Sequence, residues 1–273
     1  MDEADAGWRG LRVLVTGGTG FLGAAVVERL VGAGAEVVGL VRDRATAGVL
    51  ARHRLAGRVH ILHGRTDDLF RVHSALAVHE VQRVLHFPPA TADAQDRGLI
   101  TVLEAVRKYD ARIPVVFPRF GSAASLIASP VPLGVARFDE LFGPGDEERG
   151  TVATLAQALL EGTRTFAFDS TSRDYVPVAD AALACLMLAN AVATHPVAHI
   201  REARFRTGWT FTDREMHSAI REVLDGRIPS IPFLSVPPNP LGWSPQREFG
   251  PALAEAVEGI RVPIRPQRLR AAA

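Results

Sequence analysis

The sequence predicts a protein of the α/β class, with a doubly wound parallel β-sheet and a small C-terminal substrate lobe. Short apolar runs with branched side chains alternate with helical patterns through the first half of the chain. From residue 129 onward the pattern is less regular, with a stretch rich in proline and glycine at 129–150 and six prolines at 229–245. We expect residues 1–150 to form the nucleotide-binding domain, and residues 151–273 to complete the sheet and form the lobe.

The element that predicts the parallel sheet most strongly lies at the start of the chain. The apolar run at 11–15 reads as a buried strand, and a helical pattern follows from residue 21 to residue 34. Between them lie the glycines of a dinucleotide-binding loop, Gly17, Gly18, Gly20 and Gly23. We expect the first two to allow a tight turn, Gly20 to admit a pyrophosphate and Gly23 to let the helix pack on the strand. The helix N-terminus then faces the anion, which predicts a Rossmann-like sheet.

The other elements follow in order. Strands are predicted at 36–41, 59–62, 83–87 and 115–118, with helices at 69–78 and 93–109 between them. In the second half, residues 165–168 and 175–178 look like strands. Helices are predicted at 151–160, 179–191, 249–259 and after the capping box at 212–215. Because ligands of parallel sheets bind at the carboxyl ends of the strands, residues 86–90 and 118–122 are the expected floor of the reaction site.

Composition excludes several kinds of partner. Hydrophobic residues make up 47% of the chain and the formal net charge is +1, so nothing favours nucleic acid or a membrane surface. The single cysteine, Cys185, lies in an apolar stretch, so no Cys-x-x-Cys motif exists, and the nine histidines are scattered along the chain. The acidic N-terminus lacks the pattern of a signal peptide, and no apolar run reaches ~18 residues. We therefore expect a cytoplasmic protein without a metal.

The end of the second strand bears on the choice of cofactor. In a sheet of this kind an acidic residue there usually holds the adenosine ribose, whereas an arginine accommodates a 2′-phosphate. Here Val41 occupies the acidic position and Arg42 follows it. We interpret Arg42 as a 2′-phosphate contact, which predicts NADP(H). The alternative is a solvated Arg42, with Asp43 as the ribose acceptor.

Several motifs recur in the order of a known family. They are TGGTGFLG at 16–23, VLH at 84–86, RFDELFGPG at 137–145, RDYVPVAD at 173–180 and LGWSP at 241–245. With them the chain resembles the extended short-chain dehydrogenase/reductase family of the NAD(P)-dependent epimerase/dehydratase type. The resemblance implies an enzyme whose cofactor lies against Gly17, Thr19, Gly20, Phe21, Leu22, Gly23, Arg42, Phe87 and Pro88.

The chain departs from this family at the catalytic residues. The family uses a Tyr-x-x-x-Lys pair, but Lys108 is the only lysine here and Glu104 stands at the tyrosine position. The segment that carries the pair is shortened, and the usual Ser-Ser before it is replaced by Arg119 and Phe120. An Asp expected after the third strand is Arg65. These losses resemble those of atypical ketoreductases of aromatic polyketide pathways, the simocyclinone-type angucyclinone ketoreductases.

Four side chains remain as candidates near a reacting carbonyl. Arg119 would stabilise a developing alkoxide, or else it is a loop arginine paired with an acid. Ser122 is a candidate donor. His86 would shuttle a proton, or else it is a packing residue at a strand end. Tyr175 carries a phenol, a group that can act as a general acid. Its motif, however, belongs to a strand that precedes a structural helix.

The sequence therefore predicts an NADPH-dependent ketoreductase acting on a polycyclic aromatic ketone, as in antibiotic biosynthesis, without a tyrosine acid. Two alternatives stay open. One is a non-redox nucleotide-binding protein or cyclase-like enzyme on the same fold, and the other is a sugar-nucleotide epimerase or dehydratase. The expected partner is a small aromatic substrate, and the oligomeric state is left open.

Overall fold

The computed structural model describes residues 7–42, 55, 57–88, 92–121, 128–146, 150–163, 167–194, 199–230 and 238–261. Ten strands lie within these ranges: β1 Arg12–Thr16, β2 Glu36–Val41, β3 Val59–His63, β4 Arg83–His86, β5 Val115–Phe120, β6 Leu133–Phe138, β7 Glu140–Phe142, β8 Arg173–Pro177, β9 Ile200–Arg204 and β10 Thr210–Phe211. The helices are α1 Phe21–Gly32, α2 Leu69–Val78, α3 Ala92–Asp110, α4 Thr151–Leu160, α5 Val178–Ala193, α6 Asp213–Leu224 and α7 Phe249–Arg261, with a 3₁₀ turn at Pro240–Gly242.

Seven of the strands form one parallel sheet in the order β3-β2-β1-β4-β5-β6-β9. The order reverses between β1 and β4, which is the switch point at which doubly wound sheets bind their ligands. The predicted α/β class is therefore confirmed. A second, three-stranded sheet has the order β10-β8-β7, in which β8 runs parallel to β7 and antiparallel to β10.

Helices cover both faces of the large sheet. One buried cluster joins α1 and α5 to one face, through residues such as Val27, Leu30 and Leu186. A second cluster joins α2 and α3 to the other face, through residues such as Leu76, Val102 and Val106. Each cluster removes a large apolar area from water, the main stabilising term of a fold of this size.

The second half of the chain contributes to both sheets. β9 completes the large sheet at its edge, while α4, α6 and α7 pack with β8 and β10 around a separate apolar cluster. That cluster includes Phe142, Trp209, Phe249 and Leu253, all buried. The division of the chain at residue 150 stays a prediction.

Most predicted elements are confirmed, including the capping box, in which Thr212 and Glu215 each accept the other's backbone N–H. The strand predicted at 165–168 is wrong for its described residues, because 167 and 168 lie outside regular structure. β6, β7, β9 and β10 have no counterpart among the strands predicted from apolar runs. No helix among the described residues is long and apolar enough to cross a membrane, and no metal-ligand cluster occurs among them.

Candidate dinucleotide-binding and reaction site

The glycine loop between β1 and α1 has a backbone that side chains would not permit. Gly17 has a φ of +67°, and a Cβ there would overlap the carbonyl oxygen of Phe87. A Cβ at Gly23 would overlap the carbonyl oxygen of Gly17. Phe87 follows β4 and donates its N–H to Thr16 (2.9 Å), so the loop is pressed against the neighbouring strand end. The expected turn is confirmed for Gly17, which requires glycine's conformational freedom.

Gly18 and Gly20 serve different purposes. Gly18 is not in the left-handed region, so the prediction that it makes the turn is wrong. Instead, a Cβ there would lie 3.0 Å from Val27 Cγ2, which shows that Gly18 allows α1 to pack on β1. Among the described residues, a Cβ at Gly20 would come near only the carbonyl oxygen of Gly17, at 3.4 Å, and would otherwise point into open space.

The N-terminus of α1 lies directly behind this open space. Gly20 is its N-cap, no side chain within the described ranges caps the helix, and its first turn carries no acidic residue. The first-turn N–H groups are therefore directed at the space above Gly20 without a competing carboxylate. This arrangement suits a pyrophosphate, because backbone donors and the helix dipole both favour an anion there.

The other predicted cofactor residues surround the loop. Thr19 and Phe21 are half-buried, whereas Leu22 is buried in the core. Phe21 also lines a cavity of about 260 Å³ beside the start of α1, together with Gly143 and Pro144. Phe87 is buried and Pro88 half-buried, and residues 89–91 lie outside the described ranges.

Arg42 lies at the end of β2 and is exposed. Its competitor for the ribose, Asp43, lies outside the described residues. The adenosine is expected at this end of β2 in a sheet of this kind. The interpretation of Arg42 as a 2′-phosphate contact stays a prediction.

Arg42→Ala is expected to weaken NADPH binding at least about tenfold and to leave NADH binding nearly unchanged. The reason is that a charge-assisted hydrogen bond contributes about 1.5–3 kcal/mol, and only NADPH carries the 2′-phosphate. Dissociation constants of both cofactors, measured by calorimetry for the wild type and the variant, check this. Equal losses for the two cofactors would contradict the assignment.

His86 is fully buried at the end of β4. Its Nδ1 shares a hydrogen bond of 2.6 Å with Thr16 Oγ1 on the adjacent strand, and burial lowers its pKa to about 4. The ring is therefore neutral at pH 7 and lies beneath the sheet edge, close to Gly98 of α3. This placement favours the packing role over the proton shuttle.

Arg119 lies at the carboxyl end of β5, as predicted, and is half-buried. Its guanidinium carbon lies 5.5 Å from the ring centroid of Phe117, and its partner on β6 is Arg137. The side chain is thus on the face of the sheet that α2 and α3 cover. Ser122 lies outside the described residues.

The tyrosines and the lysine are far from forming a catalytic pair. Lys108 is exposed on α3 and faces Glu104 at 3.7 Å. Tyr109 packs edge-on against His73, with ring centroids 6.2 Å apart. Tyr175 is fully buried in the lobe, and burial raises its pKa to about 12. This placement favours a structural role for Tyr175.

Two aspartates in the resemblance motifs have structural roles that the sequence did not reveal. Asp174 accepts hydrogen bonds from the backbone N–H groups of Thr207 (3.0 Å) and Gly208 (2.7 Å). Asp180 accepts from the N–H groups of Gln246 and Arg247 through its carboxylate, and its carbonyl accepts from the Trp243 indole. These bonds join residues 33 to 67 positions apart, so no local pattern could have indicated them.

Comparison with known proteins agrees with this geometry. Residues 13–126, which hold the glycine loop and five strands of the sheet, match the NAD dependent epimerase/dehydratase family. The matched residues make up less than half of the chain, so the match is a similarity to this family over the glycine loop and most of the sheet. A UDP-glucose 4-epimerase of Mycolicibacterium smegmatis is 26% identical over 327 positions, covering 92% of this chain and 99% of the relative. Since the alignment is longer than the chain, the relative contains segments that this chain lacks.

Several solved structures share the fold of this chain. A UDP-glucose-4-epimerase from Stenotrophomonas maltophila, with NAD and formylated UDP-arabinopyranose bound, superimposes with a TM-score of 0.73 at 18% identity, over 92% of this chain and 98% of that one. The dTDP-glucose 4,6-dehydratase of Bacillus anthracis, in complex with NAD, gives 0.72 at 16% identity, over 92% and 96%. WbmH of Bordetella bronchiseptica, in complex with NAD+, gives 0.68 at 18% identity, over 92% and 98%.

Proposed function

We propose that this chain is an enzyme that binds a nicotinamide dinucleotide and reduces a ketone without a tyrosine acid. The observation that carries the proposal is a contrast within one site. The glycine loop keeps its strained turn at Gly17 and its open space above Gly20, whereas Tyr109 packs against His73 and Tyr175 is buried in the apolar cluster of the lobe.

The cofactor is supported by the fit of the loop and by the relatives. The matched family is described as NAD dependent, and the three solved structures above contain NAD or NAD+. The N–H groups at the start of α1 would hold the pyrophosphate, and Arg42 at the end of β2 favours the phosphorylated form, NADP(H). When bound, the reduced nicotinamide supplies the hydride, while the protein supplies orientation and electrostatics.

The protein's part in the reaction is to stabilise charge. When hydride adds to the carbonyl carbon, the π electrons move to the oxygen, and the alkoxide needs a positive donor and a proton. Arg119, at the carboxyl end of β5, is the cation we propose for the first role. For the second, we propose a phenol of the substrate, already hydrogen-bonded to the ketone, or an ordered water. The phenol proton moves to the alkoxide, and the resulting phenolate regains a proton from solvent.

The alternatives differ in what happens to the cofactor. The relatives' names favour a sugar-nucleotide epimerase or dehydratase, but this chain cannot form the pair Tyr-x-x-x-Lys. A reductase consumes NADPH in proportion to product, an epimerase or dehydratase returns its cofactor unchanged, and a binding protein leaves NADPH intact. Incubation with fused-ring aromatic hydroxyketones and NADPH, followed by mass spectrometry of product and cofactor, tests the proposal. Bound but unconsumed NADPH across these ketones would contradict it.

Arg119→Ala is expected to lower turnover about 100-fold, the loss typical for one donor to a developing oxyanion. Cofactor affinity should be retained, because the Arg119 side chain lies on the opposite face of the sheet from α1. Single-turnover rates and NADPH binding, measured together, separate the two effects. Arg112→Ala is the matched control, since Arg112 is exposed and pairs with Asp110. Turnover in Arg119→Ala equal to that of the control would remove Arg119 from the mechanism.

A further inference from the structure

Phe120 is the last residue of β5 and is exposed over 45% of its surface. Gly121 follows it with a φ of +61° and donates its N–H to the carbonyl of Phe138 (3.0 Å). The Phe120 backbone is therefore held by β6, with Phe138 as its direct partner. The ring is thus fixed at the sheet edge where ligands of this fold bind.

Phe120 is also the exposed end of a row of four aromatic rings. Its centroid lies 6.3 Å from that of Phe138, which stacks on Phe205 at 5.8 Å, and Phe205 meets Trp243 edge-on at 5.5 Å. The other three rings are buried. Packing on Phe138 restricts the Phe120 ring, so a ligand that stacks on it needs to order little.

The row lies on the same face of the sheet as the glycine loop's helix. Phe138, Phe205 and Trp243 belong to the apolar cluster that contains α1 and α5. Phe87, at the neighbouring strand end, belongs to it as well. Phe120 therefore extends an aromatic surface from the core to the carboxyl edge, on the side where α1 begins.

The chemistry of this surface selects for a flat ring. A phenyl face attracts another aromatic ring by offset or edge-on stacking at centroid distances of about 4.5–7 Å, beyond the effect of buried area. A saturated ring of the same size gains only the free energy of burying its apolar surface. The family resemblance places a serine at this position, which would offer a hydroxyl and no such face.

We propose that Phe120 is a specificity-determining residue that stacks a fused aromatic ring of the substrate. This inference rests on the proposed function and names the ring system that the reaction site accepts. Phe120 does no chemistry in this account, because it holds the substrate's plane while Arg119 acts on the oxygen.

Binding of two probes to the complex with NADP+ tests the proposal. One probe is 1-hydroxyanthraquinone, which is flat and aromatic, and the other is trans-1-decalone, which is saturated. Phe120→Leu is expected to weaken binding of the anthraquinone about fivefold, the typical strength of an aromatic pair, and to change decalone binding less than about twofold. Phe120→Trp should keep the affinity for the anthraquinone. Phe70→Leu is the matched control, because Phe70 is 80% exposed on α2.

The outcomes separate this inference from the proposed function. Unchanged anthraquinone binding in Phe120→Leu, equal losses for both probes, or a wild type that binds neither probe would overturn the stacking role of Phe120. If the loss is selective but no ketone is reduced by any variant, the stacking role stands and the proposed function fails. If ketones are reduced equally well by wild type and Phe120→Leu, the proposed function stands and the stacking role fails.

Discussion

Gly17→Ala is expected to abolish dinucleotide binding, with a loss of at least about 100-fold in affinity. Two costs combine at this position. A non-glycine residue at a φ of +67° is strained by about 1–2 kcal/mol, and the new Cβ would overlap the Phe87 carbonyl. The loop must then move away from β4, which misplaces the N–H groups at the start of α1. Calorimetry with NADPH and NADH measures the loss, and thermal unfolding shows whether the fold survives.

Gly32→Ala is the matched control for this variant. Gly32 is the last residue of α1, has no left-handed backbone, and leaves open space for a Cβ. Alanine there should keep cofactor affinity and improve helix propensity. Affinity in Gly17→Ala within about threefold of the control would mean that the loop does not hold the dinucleotide.

Asp174→Ala is expected to lower the free energy of unfolding by about 3 kcal/mol or more. The carboxylate is buried and accepts from Thr207 and Gly208, which connect β9 of the large sheet to β10 of the small one. Without it, two N–H donors lose their acceptor, and each unsatisfied buried group costs about 1–3 kcal/mol. Urea unfolding followed by circular dichroism measures the change.

Asp225→Ala serves as the control, because Asp225 is exposed and pairs with Arg227 at 3.1 Å. Exposed ion pairs contribute about 0–1 kcal/mol, so this variant should unfold almost as the wild type does. If Asp174→Ala unfolds at the same urea concentration as Asp225→Ala, the connection between the two sheets does not depend on Asp174.

The strands of the large sheet that are buried on both faces could be predicted, because burial leaves a run of apolar residues in the sequence. β1, β2 and β4 are apolar runs covered on both faces, and the glycine loop marks the switch between strand and helix. β9 reads Ile-Arg-Glu-Ala-Arg because it is an edge strand whose charged side chains reach solvent. Such a strand lacks the apolar run that identifies its buried neighbours.

The site was predictable in position but not in detail. Strand order places Arg119 and His86 at the sheet edge, yet only the packing shows that His86 lies beneath it with a pKa near 4. The sequence shows Phe120 as a departure from the family that the chain resembles, but its importance depends on Phe138, Phe205 and Trp243. Those rings come from distant parts of the sequence, and their contact is a property of the folded chain.

A variant without any tyrosine tests the central claim most directly. The chain contains only Tyr109 and Tyr175, so the double variant Tyr109→Phe/Tyr175→Phe has no phenolic acid of its own. Transfer of deuterium from [4-²H]NADPH to a fused-ring hydroxyketone, followed in a single turnover by mass spectrometry, measures the reaction itself. We predict that the double variant transfers deuterium at a rate within about threefold of the wild type, since the proton comes from the substrate or from water. Loss of transfer in a variant that folds and binds NADPH normally would contradict the account and assign the proton to a tyrosine.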